Sequence, residues 1–128
     1  QILTVDVASG ALTYTEPAPF RSISTRGEDG PVYAPDGSAV AFVVESTLWV
    51  RPVDEHGVPT GEAKRINFEV TDAPTWSGDS KSLLYLSNGE LRMIPREGGS
   101  PTKSNWPSIL LSAAISRSPW NTRMVTAF

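Results

Sequence analysis

The chain has 128 residues, 39% of them hydrophobic and 20% charged, which allows one modest core. A formal net charge of −3 leaves no electrostatic footprint for nucleic acid or for an anionic membrane surface. The absence of cysteine excludes disulfides and thiolate metal sites, and no apolar run approaches the roughly 20 residues that span a bilayer.

The chain opens on Gln1 rather than Met, already inside an alternating apolar run, which reads as a cut or processed chain. Residues 2–7 and 11–15, joined through Ala8-Ser9-Gly10, predict two paired strands. Residues 32–34 predict a short strand ending in an aromatic zone, followed by a tight turn at Pro35-Asp36-Gly37-Ser38. Gly37 can take a positive φ there, and Asp36 can accept from the backbone ahead of it. A second strand alternates through Val40, Phe42 and Val44. A third covers residues 47–53, and an outer strand lies near residues 63–67.

The same order then recurs. Residues 31–52, PVYAPDGSAVAFVVESTLWVRP, align without a gap on residues 74–95, PTWSGDSKSLLYLSNGELRMIP, at an offset of 43 residues. Tyr33 matches Trp76, Asp36 matches Asp79, Val40 matches Leu83, Phe42 matches Tyr85 and Leu48 matches Leu91. The second copy predicts strands at 75–77, 83–85 and 90–94, a hairpin turn at Gly98-Gly99 and a weaker outer strand near 101–104. In the tail, 113–116 and 123–128 read as an inner and a second strand; 108–116 could instead form a short helix with Ser108 as its N-cap. At the other end, Leu3 is expected to stand where Leu48 and Leu91 stand.

A period of 43 residues falls in the roughly 40–45 of a four-stranded propeller blade. The predicted class is therefore all-β: propeller blades of four antiparallel strands, about three blade equivalents in a single partial propeller. Residues 1–16 form a half blade, 20–67 and 68–104 two blades, and 105–128 a candidate half blade. Three blade equivalents cannot close a ring and would leave edges and apolar faces open. A six-bladed ring built by a homodimer follows as an expectation, the N-terminal half blade of one copy completing the C-terminal half blade of the other. The alternative expectation is an excerpt of a larger enzyme.

Pro35-Asp36-Gly37 leading into Ala41-Phe42 resembles the WD-like repeat of the TolB propeller family, and Trp76-Ser77-Gly78-Asp79-Ser80 is a variant of the same motif. The match is carried by residues 30–104. This repeat also occurs in propellers attached to amidohydrolases and to prolyl-oligopeptidase-type peptidases. The resemblance implies a propeller that binds protein or peptide or gates an enzyme domain, and, since such propellers are often exported, a periplasmic location.

Catalytic constellations are scarce. His56, flanked by Asp54 and Glu55, is the single histidine and reads as a loop residue. Ser77 lies in a turn rather than in a nucleophile elbow, and neither a P-loop nor an EF-hand pattern occurs. Asp36 and Asp79 could pair as acid and base if close, but a residue repeated with its motif reads as structural, and Gly37 with it. Tyr33, Phe42, Trp49, Trp76 and Tyr85 read as packing residues, whereas Trp106 and Trp120, in polar and proline-bearing surroundings, are candidate interface residues. Arg51, Arg92, Arg96, Lys64 and Arg65 read as scattered solvated charge. The expected function is non-catalytic binding or scaffolding of protein or peptide, without cofactor or metal. The alternative is an accessory propeller fragment of an amidohydrolase- or peptidase-type hydrolase. A weaker third reading, the propeller's own lyase or hydrolase activity, is disfavoured by the near absence of histidine.

Overall fold

The computed structural model describes residues 2–15 and 30–103 with their side chains, and the backbone of Glu16 and of 123–127. Among these residues every regular element is a strand: β1 (Ile2–Asp6), β2 (Leu12–Glu16), β3 (Val32–Tyr33), β4 (Ala39–Val44), β5 (Thr47–Pro52), β6 (Lys64–Arg65), β7 (Asp72–Trp76), β8 (Ser82–Ser87), β9 (Glu90–Pro95), β10 (Thr102–Lys103) and β11 (Arg123–Ala127). They form three antiparallel sheets. The first has the order β11-β1-β2, the second β3-β4-β5-β6 and the third β7-β8-β9-β10.

The sequence repeat is reproduced in the hydrogen-bond register. Phe42 lies opposite Trp49, and Tyr85 lies opposite Arg92, at the same offset of 43 residues. The hairpins inside these pairs turn on two residues with positive φ, Glu45 and Ser46 (48° and 61°) and Asn88 and Gly89 (49° and 81°). That is the twist-matched geometry of two-residue hairpins, for which Asn-Gly is a strong local signal. β7 is longer than expected, reaching back to Asp72 through an irregularity between Asp72 and Thr75.

β4 explains the stacking. All six of its residues are buried. Val40, Phe42 and Val44 form one cluster with Ile2 of the first sheet. Ala39 and Ala41 form another with Trp76, Leu83, Tyr85 and Ile94 of the third. The second sheet is thus covered on both faces, with small alanines set against large third-sheet side chains. Interdigitation of this kind keeps interiors close-packed.

Here the alignment of Leu3 with Leu48 fails by one residue. Ile2 is fully buried against the second sheet, and Leu3 points to the opposite face, half-buried. Because side chains alternate along a strand, a one-residue slip reverses the face. The chain's own β11 pairs with β1 in an antiparallel register, Ile2 opposite Ala127 and Asp6 opposite Arg123. Both ends of the chain therefore contribute to one sheet. Residues 113–116, and the strand-or-helix choice for 108–116, lie outside the described residues.

Each inner-strand aromatic reaches back to the preceding sheet. Tyr33 Oη lies 2.9 Å from Thr4 Oγ1. Trp76 donates Nε1–H to the Val32 carbonyl at 3.0 Å. Below Tyr33, buried Thr4 and Thr15 share a 2.7 Å hydrogen bond, and Thr15 Oγ1 donates to the Gly57 carbonyl at 2.8 Å. Gly57 has φ 78°, and a Cβ there would meet Tyr33 Oη at 2.5 Å and Thr4 Cγ2 at 3.0 Å. Gly57→Ala is expected to destabilise by on the order of 2 kcal/mol, from left-handed strain plus displacement of that network. Urea unfolding checks this, and a change within about 0.5 kcal/mol would contradict it.

Candidate functional site

In an antiparallel meander the turn between the first two strands and the loop between the last two lie at the same end. At this end the three sheets bring together the residues that the sequence singled out. Asp36 and Asp79 occupy equivalent turns. Asp36 Oδ1 accepts from Ser38 N–H at 2.9 Å and from Ser38 Oγ–H at 2.6 Å. Asp79 Oδ1 accepts from Lys81 N–H at 3.0 Å and from Ser77 Oγ–H at 2.6 Å. Gly37 has φ 74°, and Ser80, its repeat equivalent, has φ 62°. Each carboxylate is thus occupied by its own turn.

The two turns are also tied to each other. Ser80 Oγ accepts from Asp36 N–H at 3.0 Å. Arg96 Nη1 donates to Ser38 Oγ at 2.9 Å and to the Ser80 carbonyl at 3.2 Å, and lies 4.0 Å from Asp36 Oδ2. Its guanidinium also sits 5.4 Å from the centroid of the Trp76 ring. Partial burial pushes the Asp36 carboxyl upward, but the Ser38 hydrogen bonds and the Arg96 charge outweigh it and hold the carboxyl below its ordinary value of 3.8. At Asp79 the Ser77 hydroxyl and the Lys81 amide act in the same downward direction.

Arg96 is therefore an inter-sheet tie rather than solvated charge. Arg92 departs from the expectation in the same way. It lies on β9, mostly shielded, with Nη2 3.2 Å from Glu90 Oε2 and Nε 3.9 Å from Glu69 Oε1. Glu69 Oε1 also accepts from Tyr85 Oη–H at 2.6 Å. Burial, together with that partner, pushes the Tyr85 phenol up to about 12. The position of Arg96 just after β9 carried a hint of this, because its repeat equivalent is the buried Val53.

A groove of about 240 Å³ lies between the β1–β2 loop and the 54–58 loop, lined by Thr4, Asp6, Ser9, Ala11, Thr13 and His56. Asp6 Oδ1 accepts from Ser9 N–H at 2.9 Å and shapes one wall. Asp54 Oδ1 accepts from His56 N–H at 2.8 Å and from Val58 N–H at 2.9 Å and shapes the other. The His56 ring is 72% exposed, with Nε2 3.5 Å from Glu55 Oε1. Among the described residues, no group of three His, Cys, Asp or Glu side chains is arranged to hold a metal ion. At the opposite end Phe68, 82% exposed, lies 4.3 Å below the Arg65 guanidinium, an exposed aromatic that the sequence reading passed over. Trp106 and Trp120 lie outside the described residues.

No family model matches the sequence, and no curated protein matches it. Among solved structures, a protein assigned as TolB from Agrobacterium tumefaciens aligns with 83% of the chain at a TM-score of 0.57 and 16% identity. The chain has a TolB-like all-β fold. It spans 39% of that protein's length.

The sign of the Asp36 shift sets a pH dependence. A depressed folded-state pKa contributes stability that is present above the unfolded value and lost as pH falls through the lower folded one. Thermal melts between about pH 5 and pH 2 are expected to fall less steeply for Asp36→Asn than for the unaltered chain. Arg96→Met, which removes the cationic partner, is expected to cost about 1–2 kcal/mol at neutral pH. An Asp36→Asn melt curve parallel to that of the unaltered chain would contradict the assignment.

Proposed function

We propose that the chain is a non-catalytic, TolB-like β-propeller module that binds protein or peptide at the loop end of its sheets, with the groove between the β1–β2 and 54–58 loops as the contact point. Rim loops carried on a rigid stack of sheets are common places for recognition. The observation that carries the reading is the construction of the groove. Its floor is Thr4, locked to Thr15 and Tyr33, and the Gly57 carbonyl behind it is held by Thr15. Its walls are fixed by the Asp6 and Asp54 turns. A groove fixed before binding loses little entropy on complex formation. At about 240 Å³ it has room for one or two side chains of a partner rather than for a whole small-molecule ligand. Its mixed lining, mostly apolar surface edged by hydroxyls, a carboxylate and an imidazole, suits an amphipathic anchor residue on an exposed loop or peptide.

A second reading makes the chain the accessory propeller portion of a longer amidohydrolase- or peptidase-type hydrolase. It rests on the resemblance of residues 30–104 to the repeat found in propellers attached to such hydrolases. A reading frame continuing past Phe128 into a catalytic domain would support it. A periplasmic location rests on the family resemblance alone.

Selection of random linear peptides displayed on phage against the full chain tests the first reading. Enriched peptides are expected to lose about tenfold or more in affinity for His56→Ala and for Thr13→Tyr, the second of which fills the groove. Failure to enrich any peptide, or equal binding to both variants, would overturn the assignment of this groove.

A further inference from the structure

The first and third sheets each keep one apolar face turned away from the second. On the third sheet Leu83, Tyr85 and Ile94 pack against the second sheet, so Leu84, Leu86, Leu91 and Met93 point outward. Leu84 sits opposite Met93, and Leu86 opposite Leu91. Leu84 at the centre is buried, Leu91 and Met93 are half-buried, and Leu86 is 37% exposed. On the first sheet Ile2 and Thr4 engage the second sheet, so Leu3, Val5, Leu12 and Tyr14 point outward. Leu3 sits opposite Tyr14 and Val5 opposite Leu12, with Tyr14 55% and Leu12 62% exposed.

Repeat equivalence says what each face is built to meet. At the offset of 43 residues, Leu84, Leu91 and Met93 correspond to Ala41, Leu48 and Val50. Those are the second-sheet residues that pack on Trp76, Leu83, Tyr85 and Ile94. The outer face of the third sheet is therefore the repeat copy of a face that receives a following sheet. The first sheet is the converse. Leu3 lies opposite Tyr14 as Trp49 lies opposite Arg65, and Trp49 packs in the cluster that meets the preceding sheet. One chain has a face that receives a following sheet and a face that meets a preceding one.

We infer that two copies of this chain close a ring of six sheets, the outer face of each third sheet packing on the outer face of the partner's first sheet. This inference rests on the propeller reading above and names the surfaces that would join. The arrangement is two-fold symmetric, and each of its two junctions pairs unlike faces. A strand of five or six residues runs roughly 17–20 Å and neighbouring strands lie about 4.8 Å apart, so each face covers on the order of 300 Å².

The test is the solution mass of the full chain by light scattering after size exclusion, together with two charge variants. The unaltered chain is expected at twice its 13.8 kDa, holding on dilution to about 1 µM. Tyr14→Glu and Leu86→Lys are each expected to run as monomers with unchanged far-ultraviolet circular dichroism. An equimolar mixture of the two is expected to recover the dimer, because one junction then pairs Glu with Lys and the other carries neither substitution. An unaltered chain that is monomeric at about 100 µM overturns the inference while leaving the peptide-binding groove standing. A dimer that survives either variant, as pairing of a face with its own copy would allow, also overturns it. So does a mixture that stays monomeric.

Discussion

A sheet that is apolar on both faces has to be covered on both. β4 shows the requirement met, with Val40, Phe42 and Val44 closed by the first sheet and Ala39 and Ala41 by the third. Burial of apolar area contributes roughly 25 cal/mol per Å², and it is non-directional. By itself it would let the sheets slide over one another. Register comes instead from polar tips carried on the packing residues: Tyr33 on Thr4, and Trp76 on the Val32 carbonyl. Each inner strand thus supplies core volume together with one hydrogen bond that fixes where the preceding sheet lies.

The loop end is organised by the same repeat. Asp36 and Asp79 hold equivalent turns, and these turns are tied through Ser80 and Arg96. A tempting carboxylate pair is thereby consumed in structure. The groove proposed for recognition is the space between neighbouring loops, where Asp6 and Asp54 order the two walls. Packing fills the middle of the strands, and the ordered turns and the groove lie at the rim.

Much of this was legible in the sequence because the repeat is nearly exact in length. An offset of 43 residues without a gap places β4 on β8 and β5 on β9, and it matches Tyr33 with Trp76. Turn chemistry was legible where Asp and Gly stand, at Asp36 and Gly37. It was missed at Glu45-Ser46, where neither residue advertises the positive φ that it adopts, and at Asn88-Gly89, where the signal was present. The first sheet was read one residue out of phase, because Ile2 and Leu3 are both apolar and only the neighbouring sheet decides which is buried. The role of Arg96 was illegible because it depends on Ser38, 58 residues earlier. The groove was illegible for the same reason, since Asp6 and His56 meet only when two sheets stack.

The central claim is that double-sided coverage of β4, rather than any one turn or ion pair, holds the stack together. Native-state hydrogen exchange measures this directly, because amides that open only on global unfolding report the full stability of the fold. The account predicts that the β4 amides, with those of Val40, Phe42 and Val44 among them, exchange slowest. Those of Leu12 and Tyr14 on β2, the edge strand of the first sheet, should exchange by local opening at least about 10²-fold faster. Exchange of β4 as fast as that of β2 would contradict it, by showing that the second sheet opens without the unfolding of its neighbours.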